Sequence, residues 1–133
     1  MGIIEGAQQR GVAKFSYDFA VDGGVTGDIT LRGSPLPFKA IVWDGVVDVI
    51  TVPTSLGGAT AAVTTSQSAN DLVTAAAIAG APWSTTGLKA LTPVGAAAAG
   101  IKMTAARAPK LVIGTADLAA GKFNLFIEYY LSD

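Results

Sequence analysis

The side chains that most often perform catalysis near neutral pH are missing from this sequence. Its 133 residues include no histidine and no cysteine. Catalytic triads and dyads built on either residue are therefore excluded, as are thiolate metal sites and disulfides. Serines and lysines leave a Ser–Lys pair as a formal alternative, but no Ser-x-x-Lys spacing occurs. The sequence thus predicts a protein that is not an enzyme and carries no cofactor.

Two groups of acidic residues could support other chemistry. Asp44 and Asp48 are four residues apart and would share a strand face, as a glycosidase carboxylate pair must share a site. We favour the alternative, in which Asp44 forms a turn with Gly45 and Asp48 faces solvent. The loop Asp22–Asp28 has the glycines and carboxylates of a calcium loop but not the spacing of an EF-hand. A flexible hairpin loop is favoured there, and no metal site is predicted.

Charged residues are scarce in this chain and apolar residues are abundant. Charged residues make up 14% of the sequence, against about 25% in an average soluble domain. Hydrophobic residues make up 50%, the mean hydropathy is +0.48 and the formal net charge is −1. Basic residues are scattered, with Arg107 and Lys110 the nearest pair, so no nucleic-acid partner is expected. Such a surface is best covered by copies of the chain or by a partner.

Membrane insertion is the other explanation for the high hydropathy. The sequence contains no run of about 18 consecutive apolar residues, which a spanning helix requires. The richest runs, Ala75–Pro82 and Val94–Ile101, are short, alanine-rich and broken by glycine. Met1–Arg10 lacks a basic segment followed by an apolar one, so no signal peptide is expected. We therefore expect a soluble protein that is synthesised in the cytoplasm and has no membrane partner.

Alternation of apolar and polar residues runs through most of the chain and indicates β-strands. In the first strand, for example, Phe15, Tyr17 and Phe19 alternate with polar residues. The predicted strands are Phe15–Phe19, Ile29–Leu31, Phe38–Trp43, Val46–Val52, Ala59–Thr65, Ile101–Thr104, Lys110–Thr115 and Lys122–Leu131.

Other segments leave alternatives open. Asp44 and Gly45 lie between two runs of β-branched residues and predict a hairpin there, with one long bent strand as the alternative. Asp71–Ala79 is either a short helix or a strand, because its alanines favour a helix within an otherwise β pattern. The predicted loops are Ala81–Ala90 and Pro93–Gly100.

About eight short strands separated by frequent turn residues are typical of a β-sandwich of the jelly-roll kind. No segment is long enough for the helix of a βαβ unit. The sequence therefore predicts an all-β fold with one domain over residues 12–133. Residues 1–11 have no clear periodicity and predict an extended N-terminal arm, which becomes ordered when it docks on another surface.

The aromatic residues provide candidates for contact with a partner. In the last predicted strand, Phe126 and Tyr130 share one face, so both faces of that strand are partly apolar. This suits a central strand or one that faces a neighbouring subunit. Trp83 lies in a loop rich in proline and threonine and is either a core residue or an interface anchor. Trp43 lies within a strand, which favours a position in the core.

Two stretches resemble the capsid decoration, or cement, proteins encoded among the head genes of tailed bacteriophages. One begins at Ala40 and includes APWSTTG at Ala81–Gly87. The other is the C-terminal stretch from Leu111, which includes AGKFNLFIEY at Ala120–Tyr129. The similarity is one of overall pattern and covers the chain from about Val12 onward.

The resemblance implies a β-sandwich subunit that forms homotrimers on the outer surface of the virion. Such a subunit stabilises the phage head by bridging subunits of the major capsid protein. Its expected partners are therefore copies of itself and that protein. Ile3 and Ile4 in the arm could dock along a neighbouring capsid subunit. With Trp83, Phe126 and Tyr130 they form the predicted interface residues.

Two other functions stay open. The chain could be a different virion component, such as a tail, fibre or head-completion module, because these share the same alanine-, glycine- and threonine-rich β pattern. It could instead be a β-sandwich that binds a carbohydrate or another ligand, which Trp83 and the tyrosines would support.

Overall fold

The computed structural model describes residues 10–67, 71–93 and 100–131, and these residues form nine strands and one short helix. The prediction of an all-β fold is confirmed. Within the same segments, no helix has the length and apolar character needed to cross a membrane. The elements are β1 (Arg10–Asp18), α1 (Phe19–Asp22), β2 (Gly27–Thr30), β3 (Ala40–Thr54), β4 (Thr60–Thr64), β5 (Val73–Ala77), β6 (Gly87–Ala90), β7 (Ile101–Lys102), β8 (Lys110–Gly114) and β9 (Ala120–Leu131).

The strands form two antiparallel sheets that pack face to face, which confirms the predicted β-sandwich. The five-stranded sheet has the order β1-β9-β3-β6, and β7 also pairs with β3. The four-stranded sheet has the order β2-β8-β4-β5. Apart from β7, the pairs β1–β9, β2–β8, β3–β6 and β4–β5 are nested along the chain. The jelly-roll form of the sandwich stays a prediction.

The core lies between the sheets and is built from alternate residues of each strand. On β9, Phe123, Leu125 and Ile127 are buried, and the residues between them point outward. The ring of Tyr17 on β1 lies 5.4 Å from that of Phe123, centroid to centroid. Full burial of one large apolar side chain contributes about 1.5–3 kcal/mol, so this alternation holds the two sheets together.

The predicted hairpin at Asp44 and Gly45 is wrong, and the alternative of one long strand is confirmed. β3 runs from Ala40 to Thr54 and pairs with β9 along its length, with a β-bulge between Val42 and Asp44. Gly45 packs against β9 so closely that a Cβ atom there would overlap the carbonyl oxygen of Phe126. The glycine therefore allows a close approach of two strands instead of a turn.

Three shorter segments have a secondary structure that the sequence pattern left open or predicted differently. The ambiguous segment 71–79 contains strand β5, whose pairing with β4 overrides the helix propensity of alanine. The predicted loop Ala81–Ala90 is wrong at its end, because β6 pairs with β3 there. Phe19 lies in α1 and not in a strand, because the Asp18 carboxylate accepts a hydrogen bond from the backbone of Ala20 and starts the helix.

The N-terminal arm falls largely outside the described residues. β1 begins at Arg10, and Arg10 and Gly11 pair with Tyr130 and Tyr129 of β9. The predicted arm and the observed strand thus overlap by two residues. Ile3 and Ile4 lie outside the described residues, as do residues 94–99 of the predicted loop Pro93–Gly100.

Candidate interaction surface

The carboxylates considered for glycosidase chemistry lie on one face of β3 but too far apart. Asp44 stands opposite Glu128 in the sheet, and Asp48 stands opposite Asn124. A strand rises about 3.3 Å per residue, which puts the two aspartates about 13 Å apart. Glycosidase pairs are about 5–9.5 Å apart, so these residues do not form such a pair. Both aspartates are half-buried, and Asp44 does not make the predicted turn.

The loop considered for calcium binding holds its first carboxylate in an ion pair. Arg32 Nε lies 3.0 Å from Oδ1 of Asp22, and Arg32 Nη2 lies 3.2 Å from Oδ2. The same carboxylate accepts a hydrogen bond of 2.9 Å from the backbone nitrogen of Asp18. Among the residues that the structure describes, no group of three or more acidic side chains could hold a metal ion. The favoured hairpin loop is corrected, because β1 and β2 on either side of this segment belong to different sheets.

Of the two tryptophans, Trp83 takes the core alternative, and Trp43 does not take the core position expected for it. Trp83 is only 1% exposed, its Nε1 donates a hydrogen bond to the carbonyl of Ala61, and its ring packs against Phe123. It is a core residue, so its proposal as an exposed anchor is corrected. Trp43 is 42% exposed and stacks on Tyr130, with ring centroids 5.7 Å apart and an interplanar angle of 12°. Trp43 points outward because Ala40 and Val42, on the same strand, are buried and side chains alternate along a strand.

Apolar and charged side chains are exposed together on the outer face of the five-stranded sheet. We use the term outer face for the side chains of this sheet that point away from the core. Most of them stand in four cross-strand rows, which the strand register defines, and Asp18, Lys122 and Thr51 form a further row. The four rows are Arg10–Tyr130–Ile41–Lys102, Val12–Glu128–Asp44, Lys14–Phe126–Val46–Ala90 and Ser16–Asn124–Asp48–Leu88.

Phe126 and Tyr130, both predicted as interface residues, lie on this outer face. Lys14 Nζ lies 5.8 Å from the centroid of the Phe126 ring, and the Arg10 guanidinium lies 6.0 Å from that of Tyr130. Both distances fit cation–π contacts, which hold the long cationic side chains across the sheet. Strand β9 runs between β1 and β3, so the prediction of a central strand is confirmed.

Several apolar residues of the outer face were not predicted from the sequence. Leu88 on β6 is 68% exposed and Val12 on β1 is 62% exposed. Leu88 was missed because β6 was predicted as a loop, and Val12 because the first strand was predicted to begin at Phe15 and not at Arg10. A shallow cavity of about 290 Å³ on the same face is lined by Val12, Val46 and Phe126, together with Asp44, Gly45 and Glu128. This is at the lower limit of the volume of small-molecule sites, which favours a contact surface over a ligand pocket.

Three loops form a second exposed region at one end of the sandwich. Thr26 donates hydrogen bonds of 2.8 Å from its backbone nitrogen and its Oγ1 to Oδ1 of Asp117. These bonds lower the pKa of the Asp117 carboxyl, the backbone bond being the larger cause. Ser55 Oγ donates to the carbonyl of Asp117, which ties the loop between β3 and β4 to the same point. Leu56 at the tip of that loop is fully exposed.

Comparison with known proteins gives similarity in structure alone. No family model matches the chain, and no curated protein matches it in sequence. One similar solved structure is a chain of the cyanophage Pam1 capsid asymmetric unit, with a TM-score of 0.63 and 22% identity over 92% of this chain and 85% of that chain. Another is a chain of the acidic stable capsid structure of Helicobacter pylori bacteriophage KHP30, with a TM-score of 0.63 and 15% identity over 93% and 89%. At these identities the similarity establishes a common fold.

Proposed function

We propose that this chain is a bacteriophage virion structural protein of the capsid decoration, or cement, type. In this role it forms homotrimers on the outer surface of the head and bridges subunits of the major capsid protein. The observation that carries the proposal is the match of more than nine tenths of the chain to chains from two different phage capsid structures. The resemblance of the sequence to decoration proteins is the reason for choosing this role among virion components.

The physical character of the subunit supports an assembling function. The outer face exposes valine, leucine, tryptophan and tyrosine side chains between its charged residues. Burial of apolar surface contributes about 25 cal/mol per Å², so contact with copies or partners would stabilise this surface. The carboxylates considered for catalysis lie in places that do not suit it, which favours a structural role over an enzymatic one.

In this proposal the N-terminal arm makes part of the contact with the capsid. Ile3 and Ile4 would supply apolar side chains to a neighbouring capsid subunit, while β1 keeps the arm attached to the sandwich from Arg10 onward. An extended segment that becomes ordered on binding can follow a long path over a partner at a modest affinity.

A binding assay with undecorated phage heads tests the proposal. Purified protein should sediment with heads and appear on their surface in electron micrographs at micromolar concentration. Heads saturated with the protein should also withstand heating or chelation better than bare heads. Absence of binding at that concentration would remove the decoration role. A gene position beside that of the major capsid protein would favour decoration over a tail, fibre or head-completion role.

One observation favours a carbohydrate-binding function as the second candidate. The rings of Trp43 and Tyr130 are partly exposed and stack nearly parallel to each other, next to Asp44 in the sequence, and a sugar ring could pack on them. Binding to a glycan array that Trp43→Ala abolishes would support this candidate. Trp83 is buried and therefore gives the carbohydrate-binding candidate no support.

A further inference from the structure

Two groups of like charge lie on either side of β9 on the outer face, while Asp18 on β1 pairs with Lys122 and Lys102 lies beside Ile41. Arg10 and Lys14 point outward from β1, at one edge of the sheet. Asp44 and Asp48 point outward from β3, on the other side of β9. Because neighbouring strands are about 4.8 Å apart, the two groups are about 10 Å apart across the face. Each subunit thus presents a basic side and an acidic side on one surface.

The two groups also share one order and one spacing. Each consists of a valine with like charges two residues before it and two residues after it. Because a strand rises about 3.3 Å per residue, the charges of each group are about 13 Å apart. We name these groups the basic strip and the acidic strip. The basic strip is Arg10, Val12 and Lys14, and the acidic strip is Asp44, Val46 and Asp48.

Among the described residues, no ion pair neutralises the acidic strip. The ion pairs among the described residues join Arg10 to Glu128, Arg32 to Asp22 and Lys122 to Asp18, and none of them includes Asp44 or Asp48. Glu128 stands directly opposite Asp44, and like charges in that position destabilise a sheet. The Arg10–Glu128 pair is long, at 3.5 Å, and exposed. Positive charge brought in by another molecule would therefore stabilise the acidic side.

We propose that copies of this chain associate head to tail, with the basic strip of one copy on the acidic strip of the next. In this arrangement Val12 contacts Val46, and the two cations face the two aspartates. Because each strip is symmetric about its valine, this match holds whether β1 of one copy runs parallel or antiparallel to β3 of the other. The strips lie on opposite sides of β9, so one subunit uses them against two different neighbours. Such a contact closes into a ring when the rotation allows it, and a ring of three is the trimer proposed above. The inference rests on that proposed self-association and not on capsid binding.

Reversal of the charges in each strip tests this arrangement. R10E/K14E makes both strips acidic, and D44K/D48K makes both basic. Light scattering of the unaltered chain should give three times the chain mass of 13.4 kDa. Each variant should associate at least about 100-fold more weakly, because like charges brought together at an interface cost several kcal/mol. The fourfold variant R10E/K14E/D44K/D48K should regain the trimer, with the polarity of its contacts reversed.

Matched controls separate this effect from net charge and from misfolding. T30E/K110E and D28K/T30K change charge by similar amounts on the outer face of the four-stranded sheet, and both should stay trimeric. Far-UV circular dichroism checks the fold of each variant. If the strip variants prove unfolded, the fourfold variant alone decides, because its contacts are predicted to be complementary.

An equimolar mixture of the two strip variants distinguishes a ring from a two-fold dimer. In the mixture, each acidic variant attracts only the basic variant and not its own kind. A closed ring must therefore alternate the two variants, which requires an even number of subunits. The trimer should therefore not form, and pairs or short open chains should appear instead. Full recovery of the original mass by the mixture would overturn the head-to-tail ring.

Other results also separate this inference from the proposed function. Strip variants that keep the trimer, or a fourfold variant that fails to regain it while folded, would refute the strip contact. Heads that still bind the protein in either case would leave the decoration role intact. Trimers that respond to the strip variants as described but never bind heads would refute the decoration role and support the strip contact.

Discussion

Replacement of Gly45 by alanine should separate the two longest strands of the sandwich. Gly45 lies in β3 just after the bulge, opposite Ile127 of β9. A Cβ atom at this position would overlap the backbone carbonyl oxygen of Phe126 and lie 2.7 Å from Cδ1 of Leu91. A side chain can rotate away from such a clash, but a carbonyl in the middle of a strand cannot. The β3–β9 ladder must therefore open or shift at this point.

The cost follows from the kind of contact. Overpacking of a well-packed site costs about 1–3 kcal/mol. For a domain of this size, 1 kcal/mol lowers Tm by about 3–5 °C. We therefore expect G45A to lower Tm by roughly 4–12 °C, although alanine favours the folded state slightly by reducing the entropy of the unfolded chain.

Thermal unfolding followed by circular dichroism measures this effect, with Gly80→Ala as the control. A Cβ atom at Gly80 would meet only the carbonyl oxygen of Ala77, at an ordinary contact distance of 3.6 Å. G80A should therefore keep its Tm within about 2 °C of the original value, since surface changes are usually within about 0.5 kcal/mol. Equal melting temperatures for G45A and G80A would refute the close approach of β3 and β9 at this glycine.

Three further predictions concern pH and the arm. Burial, followed by the charges of Asp22 and Asp18, raises the pKa of Tyr17 to about 12. Above pH 10 the unfolded state therefore loses a proton that the folded state keeps. The free energy of unfolding should fall by about 2–3 kcal/mol between pH 10 and pH 12. Tyr17→Phe should remove this loss, and denaturant titrations of both proteins across that range measure it; parallel alkaline slopes would contradict the prediction. Thr26→Val should move the pKa of Asp117 upward toward its ordinary value, which an NMR titration of the carboxyl carbon detects, and an unchanged pKa would show that the hydroxyl does not contribute. Deletion of residues 1–9, which ends before β1, should spare the trimer but weaken binding to phage heads, and normal decoration by the truncated chain would exclude a role for the arm.

Strands were predictable where one face is buried and the other is not. β1, β8 and β9 keep a strict alternation because their inward residues fill the core and their outward residues meet solvent or a partner. β6 has four residues and lies at a sheet edge, so its pattern is too short to differ from a loop. β5 carries three alanines in five residues, and only its pairing with β4 distinguishes it from a helix.

The exposed aromatic pair could not be predicted, because the sequence does not show which face of β3 is buried. Ala40 and Val42 are buried, so ordinary alternation turns Trp43 outward, and the register shift of the bulge affects the residues that follow it. Nothing in the sequence around Trp43 marks it as different from a core tryptophan within a strand. Trp83 has the opposite problem, since its neighbours are polar although its indole fills the core and donates a hydrogen bond to Ala61. The local sequence indicates the secondary structure of a segment, whereas the burial of a side chain depends on its packing against other parts of the chain.

The same shift determines the charge pattern of the outer face. Before the bulge, the inward residue of β3 is Val42, and after it the inward residues are Val47 and Val49. In a strand without the extra residue, a buried Val42 would place Asp44 and Asp48 inward as well, because side chains alternate with a period of two. Burial of two unpaired carboxylates would cost far more than the bulge does. The inserted residue therefore allows one strand to supply core valines along its length and still present the acidic strip to a neighbouring copy.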